Sequence, residues 1–163
     1  MINKVDHIAI IVKDLDKAVK VYAEGLGLEA KWFEQSDAFQ VKMAFIPVGE
    51  VFVELIEPIG PGRARDFLKE HGQGLYHIAY QVDDIEKAIE AIGAKLMLKD
   101  KSPRPGGGNS RVAFLEPGSV FNVLTEIVER DVVTGFQQYR HGQKIQGLQE
   151  IPVKIDKLVK NQI

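Results

Sequence analysis

Two histidines and two glutamates recur at matching positions along this 163-residue chain. When residues 5–18 are laid over residues 75–88, His7 falls on His77, a separation of 70. Glu54 and Glu126 recur in the same way, late in each copy. A match this dense at a constant offset indicates an internal repeat. Two imidazoles and two carboxylates are a ligand set suited to a divalent metal ion, so the repeat predicts a metal site shared by the two copies.

The surroundings of Glu54 support this interpretation. Residues 51–57 alternate as a strand, so Phe52, Glu54 and Ile56 share one face. A carboxylate among apolar neighbours is costly unless a cation compensates it. A lone buried His or Glu is more often a core residue with satisfied hydrogen bonds. Four of them at repeat-related positions favour the metal site.

Each copy is predicted to fold as β-α-β-β-β. Period-two and period-3.6 patterns place the first copy's strand, helix and three strands at residues 5–12, 15–26, 28–34, 39–46 and 51–57. The corresponding elements of the second copy are predicted at residues 75–82, 84–93, 94–99, 111–116 and 121–129. Asp14 is the predicted cap of the first helix, and Asp83 or Asp84 caps the second. A short helix over residues 63–71 links the copies.

The fold class expected from these elements is α+β, with two tandem β-α-β-β-β modules. Residues 1–130 form one domain, made of module one at 1–62 and module two at 73–130. Residues 131–163 are rich in Gln, Lys and Gly and have no second copy. We expect this C-terminal extension to be a dimer arm, a lid or a partly ordered tail, and the sequence leaves the three open.

Composition narrows the functional classes. The net charge is −2, which gives no reason to expect a nucleic-acid or anionic-membrane partner. The chain has no Cys, which excludes a disulfide scaffold, a zinc ribbon and thiol catalysis. No apolar run is as long as a membrane span, and the N-terminus lacks a signal pattern. The default expectation is therefore a cytoplasmic protein.

Basic and glycine residues supply the candidate substrate contacts. The glycine run Gly106-Gly107-Gly108 allows the backbone to approach a ligand closely, although a flexible hairpin tip is the commoner explanation of such a run. Arg104 and Arg111 flank this run, and phosphate or carboxylate contact is as plausible for them as a role in loop solubility. Lys42 is an anion-binding candidate, but a solvated strand lysine is the favoured interpretation.

The repeated module, with His early in its first strand and Glu in its last, resembles the vicinal oxygen chelate superfamily, which includes glyoxalase I, methylmalonyl-CoA epimerase, extradiol dioxygenases and metal-free drug-binding proteins. Within it, the methylmalonyl-CoA epimerase branch is the most similar. The segments that carry this resemblance include Val5-Asp6-His7-Ile8-Ala9, Val53-Glu54-Leu55-Ile56-Glu57-Pro58, Gly74-Leu75-Tyr76-His77-Ile78-Ala79, Pro103-Arg104-Pro105-Gly106 and Val123-Leu124-Thr125-Glu126.

The resemblance implies an open, barrel-like cup around one divalent ion (Co, Zn, Ni or Mn) held by His7, Glu54, His77 and Glu126. It also implies a homodimer and an acyl-CoA or other carbonyl substrate. The expected function is an isomerase, a metal-dependent epimerase of methylmalonyl-CoA or a similar 2-substituted malonyl thioester that works through an enolate. Glu126 and Glu54 are the candidate acid/base pair.

The chain also departs from that branch. Some relatives carry a glutamate in the strand corresponding to residues 40–44, whereas this chain has Gln40-Val41-Lys42-Met43-Ala44. An alternative is therefore a glyoxalase I-like lactoylglutathione lyase or related isomerase using the same metal. A further alternative is a non-catalytic small-molecule binding protein or a dioxygenase of the same superfamily, although a dioxygenase iron usually takes two His and one carboxylate.

Overall fold

A computed structural model describes residues 1–130 as eight β-strands, three α-helices and one short 3-10 helix. The strands are β1 (Ile2–Ile11), β2 (Trp32–Ser36), β3 (Val41–Val48), β4 (Val51–Pro58), β5 (Gly74–Val82), β6 (Arg104–Gly106), β7 (Ser110–Phe114) and β8 (Thr125–Arg130). The helices are α1 (Leu15–Leu26), α2 (Arg63–His71) and α3 (Ile85–Gly93), and the 3-10 helix is Pro117–Val120.

All eight strands form one sheet in the order β2-β3-β4-β1-β5-β8-β7-β6. Each module contributes one half, and the two first strands, β1 and β5, pair antiparallel at the centre. Each first strand also pairs in parallel with the last strand of its own module, β1 with β4 and β5 with β8. The mixed sheet curls into an open half-barrel with the helices around it, which confirms the predicted α+β class and the two β-α-β-β-β modules.

Strand register brings the repeated polar residues to one level of the sheet. Ala9 lies opposite His77 in the β1–β5 pair and beside Glu54 in the β1–β4 pair. In the second module, the alanine two residues after the histidine lies opposite His7 and beside Glu126. The central four strands therefore carry the four candidate ligands on neighbouring positions.

Helices α1 and α3 begin at the predicted caps. Asp14 Oδ1 accepts a hydrogen bond from the Lys17 amide at 2.9 Å, and Asp84 does the same for Lys87 at 3.0 Å. Such N-caps satisfy amide groups that have no partner inside the helix. Gly27 ends α1 with a φ of 68°, a conformation that glycine adopts without steric cost. Helices α1 and α3 pack their apolar stripes on the outer face of the sheet, whereas α2 packs through Ala64 against the inner face, beside the cavity.

The predicted strand at residues 94–99 is wrong. After α3, the amides of Lys95 and Leu96 both bond to the Ile92 carbonyl, so the chain keeps turning. Leu98 forms only an isolated bridge with Leu115, and the edge strand of module two is the shorter and later β6.

Two other strands begin later than predicted. The last strand, predicted from residue 121, begins at residue 125, because Phe121 and Asn122 have left-handed φ angles of 56° and 64° that no strand accommodates. The strand predicted at residues 28–34 is β2, which begins at residue 32.

The C-terminal extension at residues 131–163 lies outside the described residues, so the domain boundary at 130 and the role of the extension stay predictions. Within residues 1–130, no helix is both long and apolar enough to cross a membrane.

Candidate metal centre

The two repeated histidines meet at the centre of the cup. His7 Nε2 and His77 Nε2 lie 2.9 Å apart, and both side chains are buried, with exposed fractions of 3% and 4%. The rings meet edge to face, at an interplanar angle of 72°. Strands β1 and β5 bring them together because their antiparallel register places the two early histidines on adjoining positions of the same face.

The two glutamates complete the cluster from either side. Glu54 Oε2 lies 3.1 Å from His7 Nε2, and Glu126 Oε2 lies 3.3 Å from His77 Nε2. Donor atoms of His7, His77 and Glu126 all lie within 4.8 Å of one another, and Glu54 adjoins this group through His7. The structure thus brings together all four residues that the repeat predicts as ligands.

The donor set fits a divalent ion. Both carboxylates are 5% exposed, and Glu126 Oε1 is buried without a hydrogen-bond partner within the described part of the chain. A buried carboxylate oxygen with no donor is costly unless a cation lies near it. Imidazole and carboxylate together suit zinc and neighbouring transition metals. These residues could therefore hold one divalent ion, whose identity the ligand types leave open.

Burial and close charges shift the pKa values of this cluster in opposite directions. Burial alone would lower the pKa of His7, but the carboxylates of Glu54 and Asp6 outweigh it and raise that pKa to about 10. Burial and the charge of His7 keep the pKa of His77 well below its usual value. Burial raises the pKa of Glu126 to about 7. In the metal-free cluster, therefore, His7 holds a proton that a metal ion must displace.

Asp6 and Arg130 support the His7 ring on its Nδ1 side. Asp6 Oδ2 lies 2.8 Å from His7 Nδ1, and the Arg130 guanidinium bonds the same carboxylate at 2.9–3.0 Å. Burial would raise the pKa of Asp6, but these bonds hold it well below its usual range. Arg130 also donates to the Gly107 carbonyl at 2.8 Å. A carboxylate on Nδ1 fixes the ring orientation and leaves Nε2 to bind the ion, the usual support of a metal-bound histidine.

The cup encloses a cavity of about 260 Å³. The four candidate ligands line it, together with the apolar side chains Phe39, Val41, Met43, Ile56, Val112 and Phe114. Arg63 and Arg104 are the other charged residues on its wall besides Arg130, which the Asp6 carboxylate neutralises. A small polar molecule in this space would meet the ligand cluster and the arginines together.

The predicted substrate contacts divide into two groups. Arg104 and Gly107 line the cavity. Gly107 lies so close to the cluster that an added Cβ would be 3.5 Å from Glu54 Oε1, and its contact with a ligand stays a prediction. The structure does not bring Lys42 or Arg111 to the cavity.

Lys42 and Arg111 lie on strand positions that face away from the cavity. In β3 the neighbouring Val41 and Met43 face inward, so Lys42 points to the outer face. Arg111 forms ion pairs with Glu86 and Glu129, and the 3.0 Å and 2.7 Å bonds to these glutamates occupy its guanidinium.

Sequence reasoning missed the residues that hold the candidate ligands in position. Asp6 adjoins His7 in sequence, and this adjacency was a usable signal. Arg130 lies 124 positions from Asp6 and gave none. Arg63 was assigned only to the linker helix, yet the fold places it on the cavity wall.

Comparison with known proteins agrees with the fold. A family model of the Glyoxalase/Bleomycin resistance protein/Dioxygenase superfamily matches residues 6–114. The uncharacterized protein YqjC of Bacillus subtilis is 34% identical over 78% of this chain and 92% of its own. An ethylmalonyl-CoA/methylmalonyl-CoA epimerase of Cereibacter sphaeroides is 32% identical over 78% of this chain and 98% of its own.

A solved structure of an epimerase shares the fold of this chain. The Streptomyces coelicolor methylmalonyl-CoA epimerase in complex with 2-nitronate-propionyl-CoA superposes with a TM-score of 0.78 at 28% identity, over 83% of this chain and all of its own. The family match covers more than half of the chain, with nearly all of module one and module two as far as the end of β7. This chain therefore belongs to the Glyoxalase/Bleomycin resistance protein/Dioxygenase superfamily.

Proposed function

We propose that this protein is a metal-dependent epimerase of methylmalonyl-CoA or of a similar 2-substituted malonyl thioester. The observation that carries the proposal is the pair of buried glutamates, one from each module, on either side of the His7–His77 pair in the cavity. Its relatives include epimerases of these substrates.

His7, His77, Glu54 and Glu126 would hold the ion. A divalent ion held there would act as a Lewis acid and stabilise the negative charge that develops on the substrate's oxygens when its C2 proton leaves.

Glu126 is the first candidate for moving the C2 proton. In the metal-free cluster, burial raises the pKa of Glu126 to about 7. A bound cation would favour the ionised carboxylate, the form that accepts a proton, so Glu126 would act first as the general base. Its Oε1 atom, which has no hydrogen-bond partner among the described residues, is available for that transfer.

Glu54 is the candidate for the opposite face of the substrate. Inversion at C2 needs one group that removes a proton and another that delivers one from the other side. Strand β3 presents only Val41 and Met43 to the cavity and offers no carboxylate there. Among the cavity-lining residues, Glu54 is the carboxylate that remains besides Glu126.

The apolar wall supports this chemistry by excluding water. Met43, Ile56, Val112 and Phe114 surround the polar cluster and are each less than 10% exposed. Water exclusion strengthens electrostatic interactions within the site and limits proton exchange with solvent.

The test is deuterium incorporation at C2 of methylmalonyl-CoA in deuterated water by Co²⁺-loaded protein, followed by mass spectrometry. We expect exchange with the wild-type protein and none with the His7→Ala/His77→Ala double variant. Stoichiometric metal binding without exchange would contradict the proposal. In that case the hemithioacetals that glyoxalase-type lyases convert become the next substrates, since the same cluster could move a proton next to another carbonyl.

A further inference from the structure

Two arginines share one carboxylate at the wall of the cavity. Arg63 donates to Asp100 from both terminal nitrogens, at 3.1 and 3.4 Å. Arg104 donates to the same carboxylate at 2.9 Å. Asp100 is 9% exposed and also accepts from the Phe114 amide at 3.1 Å, so its oxygens are fully used.

The group formed by Arg63, Arg104 and Asp100 therefore has an excess of positive charge and of hydrogen-bond donors. Two guanidinium charges face a single carboxylate, which leaves a surplus of one positive charge on the cavity wall. Arg104 Nε is buried and has no hydrogen-bond partner among the described residues. The side chains of Arg63 and Arg104 are 42% and 33% exposed, so their remaining donors can reach a ligand at the cavity mouth.

Aromatic rings hold the two guanidiniums in place. The Phe114 ring centroid lies 5.8 Å from Arg63 Cζ and 5.9 Å from Arg104 Cζ, within the range of cation–π contact. Arg104 also lies 5.4 Å from the Phe39 ring centroid. Phe114 contacts His77 edge to face, with centroids 5.3 Å apart. One aromatic ring thus separates the arginine pair from the metal-ligand cluster.

We infer that Arg63 and Arg104 form a subsite for an oxyanion of the substrate. The inference rests on the proposed function and specifies its substrate class. The substrate is an enolisable carbonyl compound with a carboxylate or phosphate that lies across the Phe114 ring from the candidate metal ligands. Arginine pairs suit planar oxyanions because each guanidinium offers several donors in a fixed arrangement. The oxyanion is either the carboxylate of the acyl group or a phosphate of coenzyme A.

The test is calorimetric titration of Co²⁺-loaded protein with three probes that separate these two sources. Methylmalonyl-CoA carries both anions, methylmalonyl-pantetheine carries only the carboxylate, and propionyl-CoA carries only the phosphates. The variants are Arg63→Gln, Arg104→Gln and the charge-conserving Arg63→Lys. The matched control is Arg111→Gln, an arginine on the outer face. Co²⁺ affinity and the melting temperature establish that each variant is folded and loaded.

We expect Arg63→Gln and Arg104→Gln each to weaken probe binding about tenfold or more, the size of a charge-assisted hydrogen bond, with unchanged Co²⁺ affinity. Arg63→Lys should lose less, and Arg111→Gln nothing. A loss with both methylmalonyl probes assigns the subsite to the acyl carboxylate, and a loss with both coenzyme A thioesters assigns it to phosphate.

Wild-type affinity in the Arg63 and Arg104 variants, an equal loss in Arg111→Gln, or no binding of any probe by the wild type would overturn the subsite. A failure of the proposed function looks different, because the probes would then bind with these dependences and show no C2 exchange.

Discussion

The two modules share one topology but support their histidines differently. His7 Nδ1 lies 2.8 Å from the Asp6 carboxylate, which Arg130 holds in turn. His77 Nδ1 is buried and has no hydrogen-bond partner among the described residues. The residue at the position equivalent to Asp6 is Tyr76, whose ring packs against His77 with centroids 5.0 Å apart.

This difference distinguishes the features that both modules share from one that only module one has. Both modules keep the strand, cap and carboxylate positions that assemble the cluster. Only module one supplies a charged group behind its histidine. A carboxylate on Nδ1 increases the basicity of Nε2, so we infer that His7 anchors the ion and that His77, placed by ring packing, is the weaker ligand.

The largest expected effect comes from removing the anchoring histidine. A four-ligand site supplies about 10–16 kcal/mol, so losing one average ligand costs about 3 kcal/mol, a factor of roughly 150 in affinity. We predict that His7→Ala exceeds this loss and that His77→Ala falls below it. Competitive Co²⁺ titration of the two variants measures both. Equal losses would remove the asymmetry between the modules.

The buried Arg130–Asp6 ion pair should contribute more to the free energy of unfolding than the exposed ion pairs of Arg111. Arg130→Met leaves the Asp6 carboxylate buried with only His7 as partner, which we expect to lower the free energy of unfolding by about 3 kcal/mol. Arg111→Met removes exposed ion pairs on the outer face and should lower the free energy of unfolding far less than Arg130→Met. Urea denaturation of the metal-free proteins compares them. Similar costs for the two arginines would contradict the buried role.

A smaller effect is expected from changing only the residue that precedes each histidine, Asp6 or Tyr76. Asp6→Asn keeps the shape of the side chain but removes its charge, and we predict a loss of about 10–100-fold in Co²⁺ affinity. Tyr76→Phe, at the repeat-related position, should leave the affinity unchanged, because its hydroxyl does not contact His77 Nδ1. An effect of the same size in both variants would show that the two histidines are supported alike.

The smallest effect concerns the glycine run, in which the Gly107 carbonyl accepts a hydrogen bond from Arg130. A Cβ at Gly107 would lie 3.2 Å from Phe45 Cζ and 3.4 Å from Met43 Sδ, so these side chains must shift slightly. We expect Gly107→Ala to cost about 1 kcal/mol of stability. Gly118→Ala, where the added atom meets nothing within 4 Å, should be neutral. Thermal melting of the two variants decides whether the loop is as closely packed as the structure indicates.

The parts of the fold that follow local rules could be predicted from the sequence. The repeat identifies the candidate ligands, since strand periodicity puts His7, Glu54, His77 and Glu126 on the inner face. Side-chain caps at Asp14 and Asp84 mark the helix starts.

Features that depend on distant contacts could not be predicted. The Arg130–Asp6 pair joins residues 124 positions apart, and no local pattern encodes it. Arg111 flanks the glycine run as Arg104 does, but strand alternation and the carboxylates of Glu86 and Glu129 direct it outward. The strand predicted at 94–99 fails because the turn after α3 continues, although the apolar residues there resemble a strand.

The most direct test of the central claim is the C2 exchange rate of Glu126→Gln at saturating Co²⁺. Glutamine keeps a ligand oxygen but cannot take up the proton, so the variant should bind metal and lose about 10²–10⁴-fold in exchange rate. Exchange at the wild-type rate in the fully metal-loaded variant would show that Glu126 serves only as a ligand, and the proton would have to be moved by another residue.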